Sequence, residues 1–513
     1  MDDSRPHTLD SEASDSPQPI RDPLDRADAL DALRGLAVLM MIFSGLVPRK
    51  PPLPAWMYHA QVAPPDFQFD PLLPGLTWVD WVFPLFLFAM GVSIPVALSR
   101  RIDRLVGTAP LTPIAIARLL GDIARRWLEL SAFAIVLQHL RPNHLSAKPT
   151  DLTWCLTLIG FGLLTLVYVR WPQSWRSRSP AWLPMATKIV GWLAIAILMA
   201  VLPFRDDTGF DLMRQDVILM LLAVSALSGS LLWLVTRSRQ SWRLGALALL
   251  LALRLSATGE GWIAALWNGS PIPWLFRVEY LQYLFIVIPG TIAGDLLLRY
   301  WRDQREEPQG ESAIRPVSRW RWFAIAKWLG GIVLVLLIGL QGRWVGLTTG
   351  IAIAGLAILL VALPRGVTLT ARDRFRSQLI HWGAYWLILG LFCEPFQGGI
   401  HKDPPTLSYF FISTAMSLFL WVNLMILIED FGQPFRSKRW LQLAIDNGRN
   451  PMVAYVAYAN VVLPILNLTR IHPGFSGLTQ APILAIGRAI IYTLLVALLT
   501  SGLLRLKIVW RTG

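Results

Sequence analysis

The stretch that decides the fold runs from Leu30 to Arg101. It begins LDALRGLAVLMMIFSG (30–45), passes through a proline-rich loop holding WMYHAQ (56–61), and ends LPGLTWVDWVFPLFLFAMGVSIPVALSRR (73–101). Two apolar runs of membrane-spanning length bracket a single histidine, His59, and a carboxylate, Asp80, sits at the mouth of the second run. Ionisable side chains at the edge of a bilayer are costly, so these two are the first candidates for function.

Working outward, the same pattern repeats along the chain. The 513 residues are 54% hydrophobic and only 16% charged, against about 25% charged in soluble domains. Fourteen apolar segments are long enough to span a membrane or nearly so: 30–47, 76–98, 120–140, 153–169, 185–203, 217–235, 244–258, 280–298, 323–341, 345–363, 379–394, 409–428, 450–467 and 481–504. The third, with Arg125, Arg126 and Glu129, and the short seventh, with Arg254, are the weakest. The expected fold class is an all-α polytopic membrane protein, a bundle of about 11–14 transmembrane helices. The two cysteines, Cys155 and Cys393, exclude a disulfide framework.

The net charge of +14 is distributed as short basic clusters between apolar runs. That is the pattern of cytoplasmic loops, not of a nucleic-acid-binding face. With the N-terminus inside, the inside loops carry 30 Lys and Arg and the outside loops 10. The expected topology therefore has both termini cytoplasmic and the His59 loop outside, periplasmic if the host membrane is a bacterial inner membrane. Residues 1–29 hold eight acidic residues and three arginines without an apolar run. They read as a disordered acidic tail, and 30–513 as the membrane domain.

Loop 48–75 contains eight prolines, at 48, 51, 52, 54, 64, 65, 71 and 74, and can form neither helix nor central strand. Trp56, Tyr58, Phe67 and Phe69 make it too apolar for a free linker. It is expected to fold back over the helices and line a cavity.

Within this frame His59 is suited to proton transfer or nucleophilic attack near neutral pH. Asp80 is placed to orient an imidazole, or to serve as a capping or buried structural carboxylate. Asp31 and Arg34, one turn apart, read as a structural ion pair. A second polar cluster follows in EPFQGGIHKDPPTLSYFF (394–411) and DNGRNPMVAYV (446–456). There Lys402 is suited to hold an anion at the outer mouth. Ser408 and Asn450 are suited to bind an acyl carbonyl or acceptor hydroxyl, or to join helices. GTIAGD (290–295) has the small-residue spacing of close helix packing. No Walker loop, dinucleotide fingerprint or HExxH occurs, and no metal site is expected.

The segment 30–101 resembles the opening of the heparan-α-glucosaminide N-acetyltransferase family of transmembrane acyltransferases. The resemblance rests on Asp31, Arg34 and Gly35, on His59, and on the run Gly75, Leu76, Thr77, Asp80, Phe83, Pro84, Phe86, Phe88, Met90 and Gly91. Weaker similarity continues at LSY (407–409) and around Asn450. The position of an asparagine found late in the first helix of animal-type members falls on or next to Gly45, and loop 48–75 is longer and richer in proline. Heparan is therefore not carried over as the substrate.

The resemblance implies acetyl transfer from cytoplasmic acetyl-CoA to an acceptor across the membrane, with His59 as catalytic histidine and Asp80 as its acidic partner. The expected acceptor is an amine or hydroxyl of an envelope glycan or glycolipid. Acetyl-CoA would meet arginines at the cytoplasmic face. His59 would act as general base or as transient acyl carrier, with Asn450, Ser408 and Lys402 as substrate-binding residues. A homodimer is compatible with this reading. The rivals are a glycosyltransferase using a lipid-linked sugar, with Asp66 or Asp70 as its carboxylate, and a transporter with His59 and Asp80 as proton relay.

Overall fold

The computed structural model describes residues 28–512 apart from 51, 108, 206, 208, 307–315, 367–368 and 432–438. The tail expected over 1–29 lies, up to residue 27, outside the described residues. Its boundary moves inward: α1 (Asp28–Leu46) already begins at Asp28, and Asp28 and Ala29 are buried. Acidic residues at a helix N-terminus face its positive dipole end, and Arg449 further pairs with Asp28 at 2.8 Å.

The other helices of the bundle follow in chain order. They are α2 (Trp78–Val106), α3 (Pro113–His139), α4 (Asp151–Tyr168), α5 (Leu183–Val201), α6 (Val217–Thr236), α7 (Gln240–Ser256) and α8 (Leu284–Glu306). Beyond them lie α9 (Arg319–Gln341), α10 (Val345–Ala362), α11 (Ala371–Cys393), α12 (Leu407–Glu429), α13 (Arg439–Arg449), α14 (Pro451–Leu468, with a π-turn at Tyr458–Val462) and α15 (Pro482–Arg505). Among the described residues there is no β-strand, and eleven helices are long and apolar enough to cross a membrane. The protein is an all-α, multi-pass integral membrane protein.

Each expected span corresponds to a helix, but three fall outside the eleven: α3, α7 and α11. The first two carry the charges already noted in sequence. The third, α11, opens with Arg372, Asp373, Arg374 and Arg376, and Arg376 is buried between Glu429 and Asp430 at 3.0 and 2.7 Å. Its polar first turns dock on α12 rather than on lipid.

Burial separates the centre from the rim. In α12, 83% of the apolar window is inside the protein, whereas in α5 only 17% is. A helix apolar all round and enclosed is a core helix, and one apolar but uncovered is the lipid-facing case. Small residues draw the central helices together. Gly91 of α2 lies against Val287 and Gly290 of α8, where an added Cβ would collide with the Val287 carbonyl. This is the role expected of GTIAGD. Gly35 of α1 lies against α13, where an added Cβ would fall 1.8 Å from the Ala444 carbonyl oxygen and 2.8 Å from the Gly448 nitrogen. Both contacts replace side chains by direct backbone approach.

Candidate functional site

Helix α2 begins with a capping box. Thr77 Oγ1 accepts from the Asp80 amide, and Asp80 Oδ2 accepts from the Thr77 amide at 3.0 Å. This satisfies two backbone donors at a helix start. The same Oδ2 accepts from the Ala60 amide at 3.1 Å. The other oxygen, Oδ1, lies 2.7 Å from His59 Nδ1. A carboxylate can only accept here, so Nδ1 carries the hydrogen, and in the neutral ring Nε2 keeps its lone pair. Asp80 is buried, whereas the His59 side chain is 40% exposed. One residue thus serves as both cap and imidazole anchor, the two roles that the sequence had left as alternatives.

The carbonyl of Asp80 has its own partner. Pro84, four residues on, has no N–H to donate to it. The Tyr409 hydroxyl fills the vacancy, donating to the Asp80 carbonyl at 3.0 Å. Trp81 Nε1 reaches the Ser413 carbonyl and Ser417 Oγ at 3.3 and 3.1 Å. The first turn of α2 is therefore fixed to α12 on two sides.

Lys402 comes from the loop between α11 and α12. Its Nζ lies 3.1 Å from His59 Nδ1 and 3.4 Å from Nε2. Near-equal reach to both nitrogens places the ammonium over the imidazole face, because an in-plane approach would collide with Cε1. Burial holds the Lys402 pKa below the usual lysine value, against the opposing pull of Asp80 and Asp403.

The turn carrying Lys402 is braced from three directions. Gln61 grips the backbone of Asp403, donating to its carbonyl at 2.6 Å and accepting from its amide at 3.0 Å. Arg254 of α7 donates to the Pro405 carbonyl and lies over the Phe410 ring at 5.3 Å. Arg343 pairs with buried Glu394 at 2.8 Å at the start of the loop. The charge that weakens α7 as a span is thus a support for the site.

Loop 48–75 docks on this second loop. Gly75 N donates to the Ile400 carbonyl at 2.9 Å, and His401 Nε2 lies 3.3 Å from the Leu72 carbonyl. Tyr58 is buried and bonds back to Leu53 and Pro48. Trp56 and Phe69, expected to be covered, are instead exposed; amphipathic aromatic rings are favoured at a membrane–water boundary.

Residues 26–297 match the family described as Domain of unknown function (DUF5009). That is more than half of the chain. The protein belongs to this family. No curated protein matches the chain. The matched part of this DUF5009 protein includes His59 and Asp80 and ends before Lys402.

Ser408 and Asn450 are not brought to His59 by any contact. Ser408 is fully buried, with Oγ 3.0 Å from Thr406 Oγ1, which in turn accepts from the His401 amide at 3.0 Å. It supports the turn from below. Asn450 donates to the Ile508 carbonyl at 3.0 Å and accepts from the Trp510 amide at 3.1 Å. Its amide is spent on tying the C-terminal segment to the bundle. It lies with Arg449, which pairs with Asp28 and Asp31, at the N-terminal end of α1. His59 follows the opposite end of that helix, which is 19 residues long, roughly 28 Å. The Asp31–Arg34 pair is present at 2.7 Å.

Gln61 and Tyr409 were not singled out from sequence; Thr77 entered only through the resemblance and Arg254 only as a charge that weakens a span. Two of the four carried a readable signal. Thr77 stands three residues before Asp80, the capping-box spacing. The Asp80-x-x-x-Pro84 spacing announces a free carbonyl that some donor must meet.

Proposed function

We propose that this protein is a membrane-embedded acyltransferase that moves acetyl from acetyl-CoA to an amine or hydroxyl of a sugar or glycolipid. The observation that carries the reading is the buried Asp80 carboxylate holding Nδ1 of a half-exposed His59 ring, with Lys402 Nζ within 3.4 Å of Nε2. That is the arrangement of an oriented general base.

In this reading the acceptor N–H or O–H gives its proton to His59 Nε2 as its nitrogen or oxygen attacks the thioester carbonyl. The tetrahedral oxyanion collapses, the C–S bond breaks, and the CoA sulfur leaves with the proton returned from the imidazolium. The products are the acetylated acceptor and free CoA. Lys402 supplies a positive charge beside Nε2 where the oxyanion forms, and Asp80 keeps the ring in one tautomer.

The test is acetyl transfer from radiolabelled acetyl-CoA by the purified full chain, against a panel of amino sugars and glycolipids. His59→Ala should lower the rate by about 10³-fold, within the range of general-base catalysis. Transfer by His59→Ala at the wild-type rate, or loss of activity confined to Asp66→Asn, overturns the reading.

A further inference from the structure

At the N-terminal end of α1, away from His59, a crevice of about 670 Å³ opens between the segment after α4 and the C-terminal segment. Its lining includes Arg170, Arg176, Lys507 and Arg511, with Trp171, and no carboxylate. No ion pair is formed by any of these four cations among the described residues. Arg34 and Arg126 lie within electrostatic reach of Arg511. The one acid that Arg511 senses, Asp31, is already held by Arg34 and Arg449.

The cations are not on loose chain. Arg170 N donates to the Val509 carbonyl at 2.8 Å, and Arg511 N donates to the Tyr168 carbonyl at 2.9 Å, so the two segments run as an antiparallel bridge. Asn450 clamps the Trp510 amide, and the Trp510 ring packs against Phe133, Phe161 and Tyr168. Arg511 is exposed and lies within electrostatic reach of Arg170 and Arg34. The Trp171 indole N–H is buried and has no acceptor. Buried donors ordinarily find partners, and guanidinium groups held together without counter-charge repel one another. Both conditions are relieved by one ligand rich in anionic oxygens, for which arginine's planar fork is the matching donor.

We propose that this crevice binds a ligand carrying two or more phosphate groups. The chemistry is shared by the diphosphate of a soluble molecule and the headgroup of a doubly phosphorylated lipid. Trp175, edge-on to the lining Trp171 at 6.1 Å, is exposed, as at a membrane interface, so a lipid headgroup is admitted as well as a soluble ligand. This assignment rests on the basic end alone and is independent of acyl transfer at His59.

The full chain in neutral detergent is titrated with pyrophosphate by calorimetry. In parallel, the chain in nanodiscs of phosphatidylcholine with and without cardiolipin is examined by native mass spectrometry for bound lipid. The expected result is one equivalent of one of these probes, bound roughly tenfold more weakly by an Arg170→Gln/Lys507→Gln double variant, as loss of charge-assisted contacts requires. Pyrophosphate binding assigns a soluble ligand, and cardiolipin retention assigns a lipid. In unmodified protein, the bound probe should also slow phenylglyoxal modification of Arg170 and Arg511, mapped by peptide mass, so the result does not depend on the variant folding. Failure of both probes to bind or protect, or equal binding by a folded variant, overturns the proposal.

Discussion

The two ends of the bundle handle charge in opposite ways. At the His59 end the imidazole touches both a carboxylate and an ammonium, and Asp80 is saturated by Ala60, Thr77 and His59. At the Asn450 end four cations face a crevice without a carboxylate. A closed set of opposite charges fixes geometry, which suits chemistry on a neutral acceptor. An open set of like charges fixes nothing by itself and is completed only by a ligand.

The sharpest way to break this contrast is at Asp80. Asp80→Asn keeps an acceptor for the cap but removes the charge that selects the His59 tautomer. Acetyl transfer should fall about 10³-fold, by analogy with the loss of the orienting acid in catalytic triads, while phosphate-probe binding at the other end stays unchanged. Near-wild-type transfer would show that the pair is structural only.

Lys402→Met comes next. Removing one preorganised charge at a developing oxyanion should cost about 10²-fold in rate. A thermal readout accompanies it. The folded pKa of Lys402 lies below its unfolded value, so the folded chain binds fewer protons at alkaline pH. Its stabilising contribution is complete above the unfolded value of about 10.4 and is lost as pH falls through the folded value. The wild-type Tm should therefore rise relative to Lys402→Met as pH climbs from neutral towards that value. A constant difference across the range would place Lys402 in a more solvated state.

Asn450→Ala sharpens the comparison from the other end. Both backbone groups it satisfies, at Ile508 and Trp510, lose their partner. Stability should drop by about 2 kcal/mol, the cost of leaving buried polar groups unmade. Transfer per folded molecule should be nearly unchanged, and a large loss of rate in folded protein would return Asn450 to the substrate site. The smallest effect is expected for Tyr409→Phe, which leaves the Asp80 carbonyl orphaned above Pro84. About 1 kcal/mol of stability should be lost, and recovered in a Pro84→Ala background where the helix can supply the missing N–H. Additive losses in the double variant would disprove that coupling.

Much of this was readable before any helix was placed. The apolar runs announced an all-α membrane protein because a bilayer leaves backbone groups few other solutions. Their loop charges gave an expected orientation, and His59 and Asp80 stood out as ionisable groups where such groups are expensive. Two of the more polar segments, α7 and α11, were harder to read because Arg254 and Arg376 are held against protein rather than lipid. Asn450 was misleading for a related reason: a buried amide can serve a ligand or a backbone, and its sequence neighbours do not say which.

What the sequence determined by itself was periodicity, length and local chemistry: the helices, the capping box at Thr77 and Asp80, and the close-packing glycines. What only the tertiary structure decided was which distant side chains meet. Lys402 reaches His59 across more than 300 positions, held by Gln61 and Arg254, and the basic crevice forms from segments on either side of 330 residues. The physical reason is that a helix sets its own hydrogen bonds within four residues, whereas a site is set by packing, and packing is a property of the whole bundle.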